Sequence, residues 1–319
     1  VSYMTVKTVL SRLAGEGLLN RKRRAGTRVS DGVACGNVGV VFRAESIQGL
    51  GTNYYRSMFG HVRDLIEAHG YRCILAAGHG ETKERFRNSI SLFDTVTAKQ
   101  TVGVICFEGS ANLDFCKQLG IPVVYSTSAV PPINAHCVLL DYEQMLSQGL
   151  SLLQEKGYED FTLVTMGSPE SELDRNHDSQ LRRLVYHMPG FADERIACLP
   201  WGGYGCEGIY FTFREWWNGL ETKPRALFFM DDAVCDVALR VITELGIQVP
   251  KELAILTQSA ANRSFHFPVE LASLEFCSAN VAEVTWQMLN DLIDRKDGGK
   301  GIKLIKIPAK FRTGDSLGR

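Results

Sequence analysis

From Asn37 onward, short apolar runs alternate with segments of helical period. The runs at 38–42, 73–77, 102–107, 122–125, 138–140, 161–166, 195–199, 226–230 and 253–257 are apolar nearly throughout. Strands read this way when both faces of their sheet are covered. Between them, Tyr54, Met58, Val62, Leu65 and Ile66 share one helical face ahead of Gly70, and the segments 145–156 and 234–245 run to Gly157 and Gly246, each glycine a left-handed stop. Helices separating such strands predict an α/β fold of parallel sheets. The strands are too many for one comfortable sheet, so the region divides into two doubly wound lobes with a break near Leu140-Asp141. A helix over 279–293, with Val281, Val284, Met288 and Leu292 at helical spacing, and a last strand over 302–307 bring the chain back. The first lobe is expected to comprise 37–140 and 272–298, the second 141–271 and 299–319. Such a bilobed clamp holds its ligand between the strand ends.

Residues 1–30 follow a different pattern. Ser2 stands at the N-cap of a helix over 2–14, whose Val6, Leu10 and Leu13 recur at i, i+4 and i+7 and whose stop is Gly17. Two short strands within 18–29 then enclose Lys22-Arg23-Arg24-Ala25-Gly26, a turn with three consecutive cations, ahead of a linker at 31–36. Lys7, Arg12, Arg21, Lys22, Arg23, Arg24 and Arg28 against Glu16 alone give this head a net +6, so the overall −1 leaves −7 for residues 31–319. A solvated basic tail would carry the charge without a capped amphipathic helix. The two together suit a major groove and its flanking phosphates.

Other chemistry is sparse. The longest apolar runs are far too short to span a bilayer and no signal sequence opens the chain, so a cytoplasmic protein with no membrane partner is expected. Nine cysteines stand singly with no C-x-x-C pair, which argues for reduced core thiols. The seven histidines show no i, i+4 pairing with carboxylates for a metal, and the Gly-x-Ser-x-Gly elbow is absent. Asp231-Asp232, or Asp291 with Asp294, find their ordinary explanation in caps or surface. No catalytic residue, metal or cofactor is therefore assigned, and the protein is expected not to be an enzyme. One motif stands against this: Gly203-Tyr204-Gly205-Cys206-Glu207-Gly208 is a literal G-x-G-x-x-G, with Asp231-Asp232 about 23 residues beyond it. It supplies the alternative, a nucleotide-binding oxidoreductase or an NAD-sensing regulator. Pro200-Trp201-Gly202 intervenes between the apolar run and the first glycine, so the turn does not leave the strand directly.

Ser2-Tyr3-Met4-Thr5-Val6-Lys7, Leu10, Leu13, Glu16-Gly17-Leu18-Leu19, Arg21 and Gly26-Thr27-Arg28-Val29 resemble the recognition helix and wing of GntR-type winged helices. The match covers the second half of such a domain, so a partial winged helix is expected at 1–30. The rest resembles the effector domain of LacI/GalR repressors, with its periplasmic-binding-protein type I fold. Val38-Gly39-Val40-Val41-Phe42, Gly120-Ile121-Pro122-Val123-Val124, Pro224-Arg225-Ala226, Met230-Asp231-Asp232-Ala233 and above all Leu245-Gly246-Ile247-Gln248-Val249-Pro250 before Leu253-Ala254-Ile255-Leu256 carry that likeness. Arabinose-repressor-type regulators join the same two modules, and this chain is similar to them.

The resemblance implies a homodimeric regulator of a palindromic operator, with a small-molecule effector of the sugar class between the lobes. It places Phe42, Arg43 and Glu45 at the cleft, with Ser126 and Thr127 opposite. Trp201 falls where an aromatic stacks on a sugar face, although a core tryptophan reads the same way. Asp231 matches a position that bonds ring hydroxyls, and it is also placed to cap a helix. The family's arginine has candidates Arg175 and, after it, Arg182 or Arg183. Gln258-Ser259-Ala260-Ala261-Asn262 stands where an aspartate is common and Glu275-Phe276 where a polar residue is, which leaves Ser259 and Phe276 as the cleft residues there and makes a standard neutral hexose a poorer match. On full-length protein, Lys7, Arg12, Arg21 and Arg23 are expected on phosphates, Ser2, Tyr3 and Thr5 near bases, and Gly26 at a wing tip in the minor groove.

Overall fold

A computed structural model describes residues 2–15, 19–22, 26–29, 36–43, 53–78, 90–107, 118, 120–127, 135–167, 196–200, 205–261, 263–294 and 301–318. The head contains helix α1 (Tyr3–Gly15) and strands β1 (Leu19–Lys22) and β2 (Gly26–Val29). The Ser2 hydroxyl accepts from the Thr5 N–H at 3.2 Å, which caps the first turn as the sequence predicts. The strands pair antiparallel from Leu19↔Val29 to Lys22↔Gly26, and Gly26 takes φ +84°, a conformation that an L side chain resists. Gly17 and Arg23 lie outside the described residues.

The first lobe is a six-stranded sheet in the order β13-β7-β6-β5-β3-β4, parallel throughout: β3 (Asn37–Arg43), β4 (Arg72–Gly78), β5 (Thr101–Phe107), β6 (Val123–Thr127), β7 (His136–Leu140) and β13 (Leu304–Ile307). Helices α2 (Asn53–Ala68) and α7 (Ser278–Ile293) pack together over one face, where Met58, Val62 and Ile66 meet Val281, Trp286 and Leu289. On the other face, helix α3 (Ile90–Thr97) sets Val96 against Val41, Val104 and Tyr125. The apolar runs are continuous because both faces are covered in this way.

The second lobe has the order β14-β12-β11-β10-β8-β9. Strands β8 (Phe161–Gly167), β9 (Ile196–Pro200), β10 (Ala226–Phe229), β11 (Ala254–Ala260) and β12 (Ala272–Phe276) are parallel, and β14 (Lys310–Arg312) runs antiparallel along β12. Helix α4 (Tyr142–Glu155) covers one face with Met145, Leu146, Leu150 and Leu153. Helices α5 (Gly205–Gly219) and α6 (Asp232–Glu244) cover the other with Phe213, Trp217, Val234, Val237 and Val241. This is the two-lobed α/β architecture read from the sequence.

The lobe boundaries need one correction. Residues 272–276 form β12 inside the second sheet, and 304–307 form β13 inside the first, whereas the expected division assigned each to the opposite lobe. Ser273 and Glu275 interrupt the apolar run of β12, so it escaped a reading based on continuous hydrophobicity. Those polar side chains satisfy one another, Ser273 donating to Glu275 at 3.0 Å and Arg312 of β14 bonding Glu275 at 3.2 Å. The chain thus passes between lobes at 140–142, 276–278 and 307–310.

Candidate functional site

The three crossings are stitched together. Asp141 donates its N–H to the Ile307 carbonyl at 2.8 Å and caps α4 by accepting from the Gln144 N–H at 3.2 Å. Ala309 donates its N–H to the Gln144 amide oxygen at 2.9 Å, and Lys306 pairs with Glu143 at 3.0 Å. Tyr54, at the start of α2, packs against the cores of both lobes, as does Leu140. Its hydroxyl is buried with no hydrogen-bond partner among the described residues. Burial pushes the phenol well above its ordinary pKa, and Tyr142 and Cys277 add to the shift. Tyr142 is pushed up likewise by burial, then by Asp231 and Asp232. A neutral phenol, both donor and acceptor, therefore waits at the junction of the lobes.

Above it the carboxyl ends of the first sheet carry aromatic rings. Phe42 stacks on Phe107 with centroids 4.4 Å apart and meets Tyr55 edge-on at 6.4 Å, while Tyr55 meets Tyr54 at 5.4 Å. Ligands of open parallel sheets bind outside these carboxyl ends.

The second lobe contributes acids. Asp231, at the end of β10, accepts through Oδ1 from the N–H groups of Ala233 (2.8 Å) and Val234 (3.1 Å), capping α6. Asp232 is buried: one oxygen meets Arg263 at 2.8 Å and the other accepts from the Ala260 N–H at 3.2 Å. Burial pushes the Asp232 carboxyl up to about 6, neighbouring Asp231 adds to this, and Arg263 pulls the other way. Arg263 also reaches Asp236 at 3.6 Å and lies over the Phe265 ring at 5.1 Å.

The sequence-predicted ligand residues fall in several places. Phe42, Ser126 and Thr127 lie buried at the ends of β3 and β6, and Arg43 ends β3. Asp231 is half-buried at the cap position. Ser259 is fully buried, with its hydroxyl on the Ala260 carbonyl at 3.0 Å, and Phe276 is fully buried against Tyr142. Glu45, Arg175 and Trp201 lie outside the described residues, as do Arg182 and Arg183. In the head, Ser2 is exposed just before α1, Tyr3, Thr5, Lys7 and Arg12 are exposed on it, Arg21 lies in β1, and Gly26 opens β2.

Tyr54, Tyr55, Tyr142 and the Asp232–Arg263 pair are not legible in the sequence as site residues. The one available signal was Asp141-x-x-Gln144, a cap that fixes where Tyr142 enters α4. Gly203 and Tyr204 of the glycine motif lie outside the described residues, and the described part is not drawn into a dinucleotide site. Gly205 and Gly208 lie in α5 after edge strand β9, but Asp231 follows β10, which β8 separates from β9, and both aspartates are engaged as described. Among the described residues no cluster of His, Cys, Asp and Glu could hold a metal ion, and no helix is long and apolar enough to cross a membrane.

Comparison with known proteins supplies the context. The chain is 21% identical over 317 residues to a sucrose operon repressor from Streptococcus mutans, covering 99% of this chain and 92% of that one. Among solved structures, it resembles a transcriptional regulator, CelR, in complex with cellobiose (TM-score 0.69, 16% identity, 99% of this chain and 91% of that one). It also resembles the LacI-family regulator CCPA of Weissella paramesenteroides with bound sucrose (TM-score 0.68, 16% identity, 88% and 98%). The model of the periplasmic binding protein-like domain family matches residues 150–317. That span exceeds half of the chain and takes in the last residues of α4, the whole second sheet and α7: the protein belongs to the periplasmic binding protein-like domain family.

Proposed function

We propose that this chain is a sugar-responsive transcriptional regulator, in which a small polyhydroxylated effector bound between the lobes controls the affinity of the N-terminal head for operator DNA. The observation that carries this reading is the pairing, in one chain, of a capped helix and antiparallel hairpin of net charge +6 with a two-lobed α/β clamp whose junction holds a buried phenol without a hydrogen-bond partner among the described residues. The relative named as a sucrose operon repressor aligns across both parts.

In this reading the head is a winged helix of the GntR type, Lys7, Arg12, Arg21 and Arg23 meet phosphates, and Ser2, Tyr3 and Thr5 approach bases. A homodimer on a palindromic operator follows from two symmetric heads. The protein acts by binding in the cytoplasm and catalyses no reaction. Asp231 offers the ligand the oxygen that does not cap α6, and Tyr54 its hydroxyl. Phe42, Arg43, Glu45, Ser126, Thr127, Arg175, Trp201, Ser259 and Phe276 complete the candidate set. A coupling of about 1–3 kcal/mol between cleft and head would move DNA affinity roughly 5- to 150-fold.

The test is fluorescence anisotropy of the full chain on duplexes selected from a random library, with and without a panel of neutral mono- and disaccharides. Selection of a palindromic duplex whose affinity shifts with one sugar supports the proposal. Failure to retain any duplex at low salt overturns it.

A further inference from the structure

We propose that Asp232 and Arg263 form a proton-operated latch on the second-lobe rim of the cleft, closed while the carboxylate is charged and opened when it takes up a proton. Three observations carry this. The ion pair is short, 2.8 Å, and almost wholly removed from water, with 13% and 9% of the two side chains exposed. A buried pair of this kind loses its compensation when one partner is neutralised. Asp232 also has a like charge as its sequence neighbour, Asp231, which favours the protonated form.

What the latch holds gives it consequence. Asp232 opens α6, one residue after the candidate ligand residue Asp231. Its second oxygen takes the N–H of Ala260, the last residue of β11 and the neighbour of Ser259. Arg263 lies in the segment leaving that strand, and its carbonyl accepts from Arg312, which pairs in turn with Glu270 and Glu275. The Asp232 side chain therefore ties the start of α6 to the exit of β11, and the Arg263 carbonyl carries that tie on to the tail strand β14. Arg263 holds the Asp232 pKa down while burial holds it up, so departure of Arg263 from a still-buried carboxyl tightens proton binding, and by linkage proton uptake favours that departure; Arg263 keeps its contact with Asp236, 3.6 Å away on the more exposed side, as the exit of β11 moves.

The groups facing Asp232 are Asp231, Cys235 and Asp236 on its own helix, Arg263 and the Ala260 N–H from the β11 exit, and Tyr142 from the start of α4. Burial holds Cys235 and Tyr142 above their ordinary pKa values, hence neutral. Asp232 itself, at about 6, is the member that changes charge between pH 5 and 7. His266, exposed farther along the same segment, is the group to control for.

The latch itself does not depend on the ligand, but its effect on effector binding rests on the sugar-cleft reading, so the decisive measurement uses no ligand. Amide hydrogen exchange of the full chain, corrected for intrinsic rates, is followed for peptides spanning 258–267 between about pH 5.5 and about pH 7.5. Protection of this segment is expected to fall at least about fivefold toward the acid end in the wild type and in His266→Asn. Asp232→Asn, which keeps an acceptor for the Ala260 N–H, should abolish the pH dependence. Arg263→Gln should show the acid-level protection at every pH, and Arg263→Lys should restore the dependence. Flat protection in the wild type, or a dependence that survives Asp232→Asn or vanishes in His266→Asn, overturns the latch. Sucrose and cellobiose titrations at the two pH values form the second arm. A pH-dependent affinity in the wild type that becomes constant in Asp232→Asn supports the link to the cleft, and a pH-independent affinity overturns that link. Binding of neither sugar counts against the sugar reading alone, because the exchange data decide the latch separately.

Discussion

Tyr142 rests on Phe276, ring centroids 5.4 Å apart and planes inclined by 48°, so the residue that begins α4 after the first crossing packs on the residue that ends β12 before the second. This contact, with the Asp141 N–H on the Ile307 carbonyl, fixes the spacing of the crossings. Tyr142→Ala would leave a cavity against a fully buried ring and is expected to destabilise the second lobe by about 3 kcal/mol. Urea unfolding followed by tryptophan fluorescence measures this. An unchanged midpoint would mean that the crossings are held by the Asp141, Gln144 and Lys306 bonds without this ring contact.

Tyr54 makes the opposite prediction for stability and for binding. Its hydroxyl is buried and without a partner among the described residues, so Tyr54→Phe should raise the stability of the ligand-free protein by about 1 kcal/mol. The same change should weaken an effector that uses the phenol by about tenfold, through a lost buried hydrogen bond. Thermal unfolding without ligand and calorimetric titration with ligand read the two effects. A Phe variant less stable than the wild type would show that the hydroxyl is satisfied in solution.

Gly149 lies in α4 where the helix crosses Phe228. A Cβ there would stand 2.4 Å from the Phe228 ring and 3.0 Å from Leu274, both fully buried and unable to retreat. Gly149→Ala should therefore destabilise by about 2 kcal/mol despite the better helix propensity of alanine. Thermal melts against Gly219→Ala, where a Cβ meets nothing within 4 Å, supply the comparison.

The sheets were legible because their strands are buried on both faces and so lack polar interruption. The runs at 38–42 and 102–107 lie within β3 and β5. β12 was missed for the converse reason: Ser273 and Glu275 look like surface until Arg312, 37 residues later, arrives to pair with the carboxylate. The Asp231 cap was legible because caps are local. The Asp232–Arg263 pair was not, since 31 positions separate its members and only the sheet order brings the β11 exit against the start of α6. Tyr54 was counted as one more apolar position on a helical face, because periodicity records where a side chain points and not whether its hydroxyl finds a partner.

Lys7 is exposed on α1, on the side of the head assigned to phosphates. Lys7→Ala should weaken binding to all duplexes alike and lower the slope of log affinity against log salt by about one. Anisotropy titrations at several salt concentrations give that slope. An unchanged slope would remove Lys7 from the phosphate contacts.

Asp232 also sets a pH dependence of global stability. Its folded-state pKa, about 6, lies above the ordinary aspartate value of 3.8, so the native state holds the proton more tightly than the unfolded chain. The stabilisation is fully present below the unfolded value and is lost as the pH rises through the folded one. Across that window the wild type should lose up to about 3 kcal/mol from this group, two pKa units at 1.36 each, and Asp232→Asn should remove that slope. Urea midpoints measured from about pH 4 to about pH 7 in both proteins check this. Global stability should thus rise toward acid while protection at the exit of β11 falls. A structural ion pair whose loss merely loosened the lobe would move both in the same direction.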